Sequence, residues 1–266
     1  MKTKGSCIEK QELSIEELKQ IADASLLVGK TMLESGAEIC IVEETLSRLV
    51  QTFGCDKVNL SVLPQTIAMT LVSGNEFRTK MVHIGMLKPD MQRLSEIYKL
   101  TKNVCSACSP VDVLQQTKNL ISQNHQFSGY QKVFAAALAC ASFAALFKGT
   151  TAEFATAFIA TFLAASLRKT LDAKEFNPLL SITLASLLAT VCVGLFSSLG
   201  VLEDTNIALA SSVLFLVPGV QLINTFEDII RGHYLSGLAR GLHGLLISFA
   251  IVFGIALGLK LLGSIV

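Results

Sequence analysis

The chain has no tryptophan, only three tyrosines, and few charges: 16% of its 266 residues are Asp, Glu, Lys or Arg. Interfacial anchoring by tryptophan is therefore excluded, and Tyr130, Tyr234 and charged side chains must serve instead. A net charge of +1 leaves no basic face, so no nucleic acid is expected as partner. The first residues, Met1-Lys2-Thr3-Lys4-Gly5, lack the apolar core of a signal peptide, which implies that the N-terminal part stays in the cytosol. Seven scattered cysteines, an odd number, form no disulfide framework, and Cys140 and Cys192 fall in apolar runs. Cys105-Ser106-Ala107-Cys108 is the one CxxC; it has no second pair and no histidine beside it in sequence for a zinc site. There is no GxxxxGK[ST], no strand-borne GxGxxG, no HExxH and no GxSxG, so nucleotide hydrolysis and the common hydrolase designs lack support and no cofactor is expected. His83 and His125 stand alone and read as surface or satisfied residues.

What the chain does have is apolar length. Hydrophobic residues make up 51%, and the mean hydropathy is +0.55, too high for an ordinary soluble protein of this size. Charge is unevenly placed: 15 of the 22 Lys and Arg and 14 of the 21 Asp and Glu lie before residue 133. The expected architecture is a membrane α-helical bundle of about five transmembrane helices (129–266) preceded by a cytosolic α+β domain (1–128).

In the polar half, Ser14 and Glu17 form a capping box ahead of a helix that carries Ile15, Leu18, Ile21, Ala22, Leu26 and Val28 and ends near Glu34. Ser35 and Glu38 read as a second box, opening a helix through about Phe53 that Gly54 stops. Residues 57–63, 66–72 and 77–84 read as strands, with Pro64 breaking the first pair and Ser73-Gly74-Asn75 as turn. Helices are expected from about Asp90 and from Ser109-Pro110 to about Ser122. Glu34, Glu38, Glu43 and Glu44 could act as paired carboxylates, but a solvated helical face accounts for them without chemistry, and the chain is not expected to be an enzyme.

The polar breaks divide the second half into spans at 130–147, 154–171, 178–199, 205–223 and 237–262, each close to the about 20 residues that cross a bilayer. Arg168, Lys169 and Lys174 lie in one loop and Arg231 and Arg240 in another, whereas 200–206 carries Glu203 and Asp204 with no Lys or Arg. The positive-inside rule then puts the N-terminus in the cytosol and Val266 outside, with Lys148 and Lys260 as discordant charges. Glu153 and Lys148 could form an outer gate, or serve as ordinary interfacial charges. Alanines through the first span, and Gly237 with Gly241 and Gly254 with Gly258 in the fifth, are small-xxx-small patterns that allow helix neighbours, a second copy of this chain among them.

One stretch stands apart. An apolar run meets Pro218, which has no amide hydrogen, then Gly219, and Gln221, Asn224, Glu227, Asp228, Arg231 and Arg240 follow. The helix should break there, and polar groups at the edge of hydrocarbon persist only where they face protein or a watery cavity. The plain alternative is a proline kink followed by a cytosolic loop, with Asp228 and Arg240 as a structural ion pair.

Ser35-Gly36-Ala37-Glu38 with Val42-Glu43 one turn on, the strands after Gly54, the exit Phe147-Lys148-Gly149, and above all Pro218-Gly219-x-x-Leu222-x-Asn224-x-x-x-Asp228-x-x-x-Gly232-x-x-x-x-Gly237-x-x-Arg240 together resemble the threonine/serine exporter family, from about Leu13 to Leu262. Single-chain members carry about twice as many spans, so the chain resembles the larger component of a split form whose other half is a small all-membrane partner subunit. The resemblance implies a secondary transporter of the plasma membrane that exports threonine, serine or small dicarboxylates such as succinate, driven by an ion gradient. It also implies a small-molecule path lined by Pro218, Gly219, Asn224, Asp228 and Arg240, and a cytosolic motif of Gly36, Glu38 and Glu43. Two other readings stay open: a regulatory or sensor domain anchored by an inert bundle, and a membrane-tethered enzyme using the carboxylates near Glu38 and Glu43.

Overall fold

A computed structural model of the chain describes residues 13–63, 65–85, 89–105, 108–122 and 128–263. Pro64, the Ser106-Ala107 centre of the CxxC, His125, Val266 and the Met1–Gly5 start lie outside them. The chain divides into two compact units, Met1–Asn124 with Ile223–Arg240, and His125–Leu222 with Gly241–Val266. Residues 223–240, which a single cut after residue 128 assigns to the second half, thus belong with the first.

In the first unit α1 (Ile15–Glu34) begins at Ser14, whose hydroxyl accepts from Glu17 N–H while Glu17 returns to the Ser14 amide, as the capping box requires. Leu18, Ile21, Met32 and Leu33 on its inner face are fully buried, and each such side chain contributes about 1.5–3 kcal/mol of burial. They meet α2 (Ile39–Thr52) and a three-stranded antiparallel meander of β1 (Lys57–Leu63), β2 (Thr66–Ser73) and β3 (Glu76–His83). Ser73 pairs with Glu76, leaving Gly74-Asn75 as a two-residue turn. Ile67, Met69 and Leu71 alternate along β2 with no exposure, facing the core. Gly29 lets α1 close on this layer: a Cβ there would meet Leu46 Cδ1 at 2.9 Å and Ile67 Cδ1 at 3.0 Å. Two helices, α3 (Met91–Asn103, capped by Asp90) and α4 (Pro110–Ser122), bury Ile97 and Val113 in the same core.

One expected start is not where the sequence puts it. Ser35 and Glu38 make no capping box: Ser35 keeps helical angles as the C-cap of α1, and Glu38 precedes α2 without a side-chain cap bond. Gly36 decides this. At φ 96° it takes the left-handed conformation, Gly36 N–H reaches Leu33 O and Ala37 N–H reaches Met32 O, both at 3.0 Å, and α1 closes as a Schellman motif.

The second unit contains α5 (Gly129–Leu146), α6 (Thr151–Ala173), α7 (Pro178–Ser198), α8 (Thr205–Val213) and parts of α9 (Gly219–Ile230) and α10 (Tyr234–Gly263). Four of these helices are long and apolar enough to cross a membrane, and five spans result if the bent pair 205–216 and 219–230 counts as one. Its interior is built from small side chains: Ala137, Ala141, Ala144, Ala157, Ala160, Ala164, Ala185 and Ala189 are buried. Gly254 and Gly258 are used within the chain, against α7: a Cβ on Gly254 would lie 2.4 Å from Thr183 O, and one on Gly258 2.8 Å from Thr190 Cβ. Gly237 likewise faces Ile229 and Thr225 O. These glycines therefore call for no outside neighbour.

The helix expected over 205–223 is interrupted, as the proline demands. After α8 a 3-10 turn (Leu214–Leu216) leads to Val217 in extended conformation, α9 restarts at Gly219, and the axis bends by 65°. Extended backbone is what a residue before proline prefers. The polar residues from Gln221 to Asp228 lie on a helix, where the plain alternative had a loop.

Glu153, expected as an outer gate with Lys148 or an interfacial charge, is a buried cap. One carboxylate oxygen accepts from Glu203 N–H (2.7 Å) and Asp204 N–H (3.1 Å), the other from Thr150 N–H (2.7 Å) and the Thr150 hydroxyl. It ties the start of α6 to the loop before α8. Replacing Glu153 by alanine leaves those amides unmet at about 1–3 kcal/mol for each that stays dry; a lowered melting temperature and faster proteolysis within 200–206 are expected. Gly254→Ala should cost about 1–3 kcal/mol by forcing α7 from α10, read as a lower melting temperature in detergent, with Gly219→Ala, where a Cβ meets nothing within 4 Å, as the tolerated control.

Candidate functional site

The Schellman ending of α1 leaves the connector to α2 with exposed bonding capacity. The Gly36 and Ala37 carbonyls point out of the turn, and the first amides of α2 have no cap from Glu38. Within the same unit the pair α9 and α10 supplies what is missing. Asn224 Nδ2 donates to Gly36 O at 3.0 Å, Arg240 Nη2 reaches Ala37 O at 3.5 Å, and the Asp228 carboxylate lies near enough to the Ile39 amide to be stabilised by it. The Asp228 carboxylate thus sits at the start of a helix that lies far away in sequence, where a carboxylate is favoured.

Asp228 and Arg240 also meet each other. Arg240 Nη1 lies 3.1 Å from Asp228 Oδ2, with side chains 4% and 1% exposed. The contact is an ion pair without hydrogen-bond alignment, so Asp228 Oδ2 and Arg240 Nη1 and Nε have no hydrogen-bond partner among the described residues. Around them lie Glu38, which adds negative potential at Arg240, and the turn between α9 and α10. There His233 Nε2 sits 3.7 Å from Glu43 Oε2, and Arg231 bridges Glu227 (2.7 Å) and Cys40 Sγ (3.0 Å).

The hairpin is inside out by the rule for soluble proteins. Asn224, Thr225, Asp228, Ser236 and Arg240 are buried, whereas Ile223, Phe226, Ile230, Leu235 and Leu238 are between 65% and 82% exposed. Polar groups inward and apolar groups outward is the pattern of a segment with an apolar surround.

Of the residues singled out from sequence, Asn224, Asp228 and Arg240 therefore gather on Gly36, while Glu38 and Glu43 flank them. Pro218 and Gly219 make none of these contacts: they shape the break, Pro218 O accepting from Leu222 N–H at 3.0 Å. Sequence reasoning missed the Ala37 carbonyl, the Ile39 amide, Cys40 and His233. A glycine ending α1 one residue before an apolar-led helix without its own cap is the signal that could have found the first two. Elsewhere in the unit, the Cys105 and Cys108 sulfurs are 3.2 Å apart, both as thiols.

Residues 23–262 match the family model described as "Putative threonine/serine exporter". The chain is 27% identical over 262 residues to the "Probable succinate transporter subunit YjjP" of Escherichia coli K12, covering 94% of this chain and 98% of that protein. It is 22% identical over 242 residues to the "Threonine/serine exporter" of Corynebacterium glutamicum, covering 88% of this chain but 50% of that one. No solved structure matches.

Breaking a buried ion pair from one side leaves the other charge uncompensated, at about 3–5 kcal/mol, whereas removing both charges is far milder. Asp228→Ala alone should therefore lower stability more than Asp228→Ala with Arg240→Leu, and chemical denaturation of the four proteins of the double-mutant cycle measures that coupling.

Proposed function

Because the chain belongs to the threonine/serine exporter family, we propose that it is the larger subunit of a two-part secondary exporter in the plasma membrane. Its cargo is a small solute bearing a carboxylate: threonine, serine, or a dicarboxylate such as succinate. The relative named as a transporter subunit is matched over nearly its whole length, the longer one named as an exporter over half. A small all-membrane partner would supply the other half, and two units of odd span number can be related by inverted topology around a shared solute path. The loop charges favour a cytosolic N-terminal α+β part and a C-terminus outside.

The observation that carries this reading is the buried set Asn224, Asp228 and Arg240 on a hairpin whose other face is apolar. Ionisable groups in such surroundings mark solute or ion pathways by default. Its seat on Gly36, Ala37 and Ile39 makes the N-terminal motif part of the moving machinery, which favours a transport role for that region over an anchored sensor. The names borne by the relatives, transporter and exporter, favour transport over a tethered enzyme.

Efflux of labelled threonine, serine and succinate from cells lacking their own exporters tests it. Efflux should require both this chain and the small partner, and Asp228→Asn should reduce it at least tenfold at equal amounts of folded protein in the membrane. Efflux that is unchanged by Asp228→Asn, or that persists after deletion of residues 1–125, would refute the docked hairpin's part in transport.

A further inference from the structure

We infer that the α2 N-terminus and Arg240 form a carboxylate receptor whose occupant in this structure is the protein's own Asp228, and that substrate enters by taking that place. The inference rests on the transporter reading and names the group of the substrate that the site recognises. The receptor consists of donors. The Ile39 amide heads a 14-residue helix whose first turn carries partial positive charge. Arg240 adds a guanidinium, 4% exposed, with Nε and Nη1 lacking hydrogen-bond partners among the described residues. Asn224 Nδ2 lies beside them on Gly36 O.

Asp228 fits this receptor incompletely. It lies near the Ile39 amide and meets Arg240 through one contact without alignment, where a guanidinium and a carboxylate ordinarily form two parallel bonds. Its backbone explains the misfit: Asp228 is fixed in α9, and its carbonyl is already bound by His233 N–H at 2.8 Å. A free carboxylate, not tied to a helix, can orient for both guanidinium bonds and the Ile39 amide together. Two carboxylates cannot share the site, since Glu38 and Glu227 already add negative potential around the pair. Binding therefore requires Asp228 to withdraw, and withdrawal releases the α9–α10 hairpin from the α1–α2 connector. An amino acid and a dicarboxylate share only the carboxylate, which is the part such a receptor reads.

The test is binding by the purified full-length chain, without partner or gradient, using radiolabelled succinate and, separately, radiolabelled threonine. Asp228→Asn empties the receptor of its internal anion while keeping shape, so it should bind one or both probes at least tenfold more tightly than the unaltered chain. Adding Arg240→Gln to that variant should abolish the gain, and neutral succinamide should compete in neither. Circular dichroism and size-exclusion chromatography check folding, and Asp228→Ser replaces Asp228→Asn if the latter does not fold. A folded Asp228 variant that binds both probes no more tightly than the unaltered chain overturns the proposal, as does tight binding that survives Arg240→Gln. Because no flux is measured, loss of efflux with intact tenfold tightening would indict the exporter assignment, and the reverse result would indict the receptor.

Discussion

A helix that cannot cap itself governs this molecule's site. Glycine at position 36 ends α1 so tightly that only two residues remain before α2, and the residue in the capping position is a glutamate whose side chain makes no bond to the turn it precedes. Buried amides and carbonyls left without partners cost about 1–3 kcal/mol each, so the connector must be completed from outside. Asn224, Asp228 and Arg240 do so with one amide, one carboxylate and one guanidinium, each matched to the group it faces. The same three side chains would be intolerable on a helix surrounded by hydrocarbon if they pointed outward. Their inward direction follows from the connector's need as much as from their own.

The break at Pro218 solves a related problem by local means. Removing one amide and forcing Val217 into extended backbone frees carbonyls at the end of α8. Thr161 donates its hydroxyl to Ser212 O at 3.1 Å. The small residues of α5 and α6 allow that approach: Ala141, Ala157 and Ala160 are all fully buried. An alanine-lined interior and an interrupted helix are thus one arrangement, since a hydroxyl group reaches a broken backbone only where neighbouring helices come close.

Much of this was legible in the chain. The Ser14 box, the Gly74-Asn75 turn, the helix start near Asp90 and the start at Pro110 are local chemistry, and the strands stand within a residue of their expected bounds, whereas α6 and α10 begin three residues earlier than expected and α9 runs on to Ile230. The break at Pro218 was legible for the same reason, as was the polar set after it. The Ser35 box failed because two local signals competed, and a left-handed glycine that satisfies two carbonyls outweighs a serine that would satisfy one amide. Nothing local announced the docking of α9 and α10 on the connector. It joins residues nearly two hundred positions apart, and an asparagine that seeks a carbonyl looks in sequence like one that seeks water. The inverted polarity of the hairpin was visible as composition, but its direction depends on what surrounds it.

Stability alone does not explain why the pair Asp228 and Arg240 is charged. Burying two ions carries a desolvation penalty of several kcal/mol per ion, and a well-packed apolar pair of the same volume is often as stable or more so. Here the compensation is partial, because Asp228 Oδ2 and two guanidinium nitrogens stay without aligned hydrogen bonds. A neutral asparagine or serine at 228 would suit the start of α2 equally well, and an apolar residue at 240 would fill the same buried volume without a charge. A site selected only to hold the connector to the hairpin would have drifted toward such residues. What a charged, imperfectly bonded pair offers instead is a contact for which an outside anion could compete, since a guanidinium not fully bonded to its own carboxylate can still gain bonds from another.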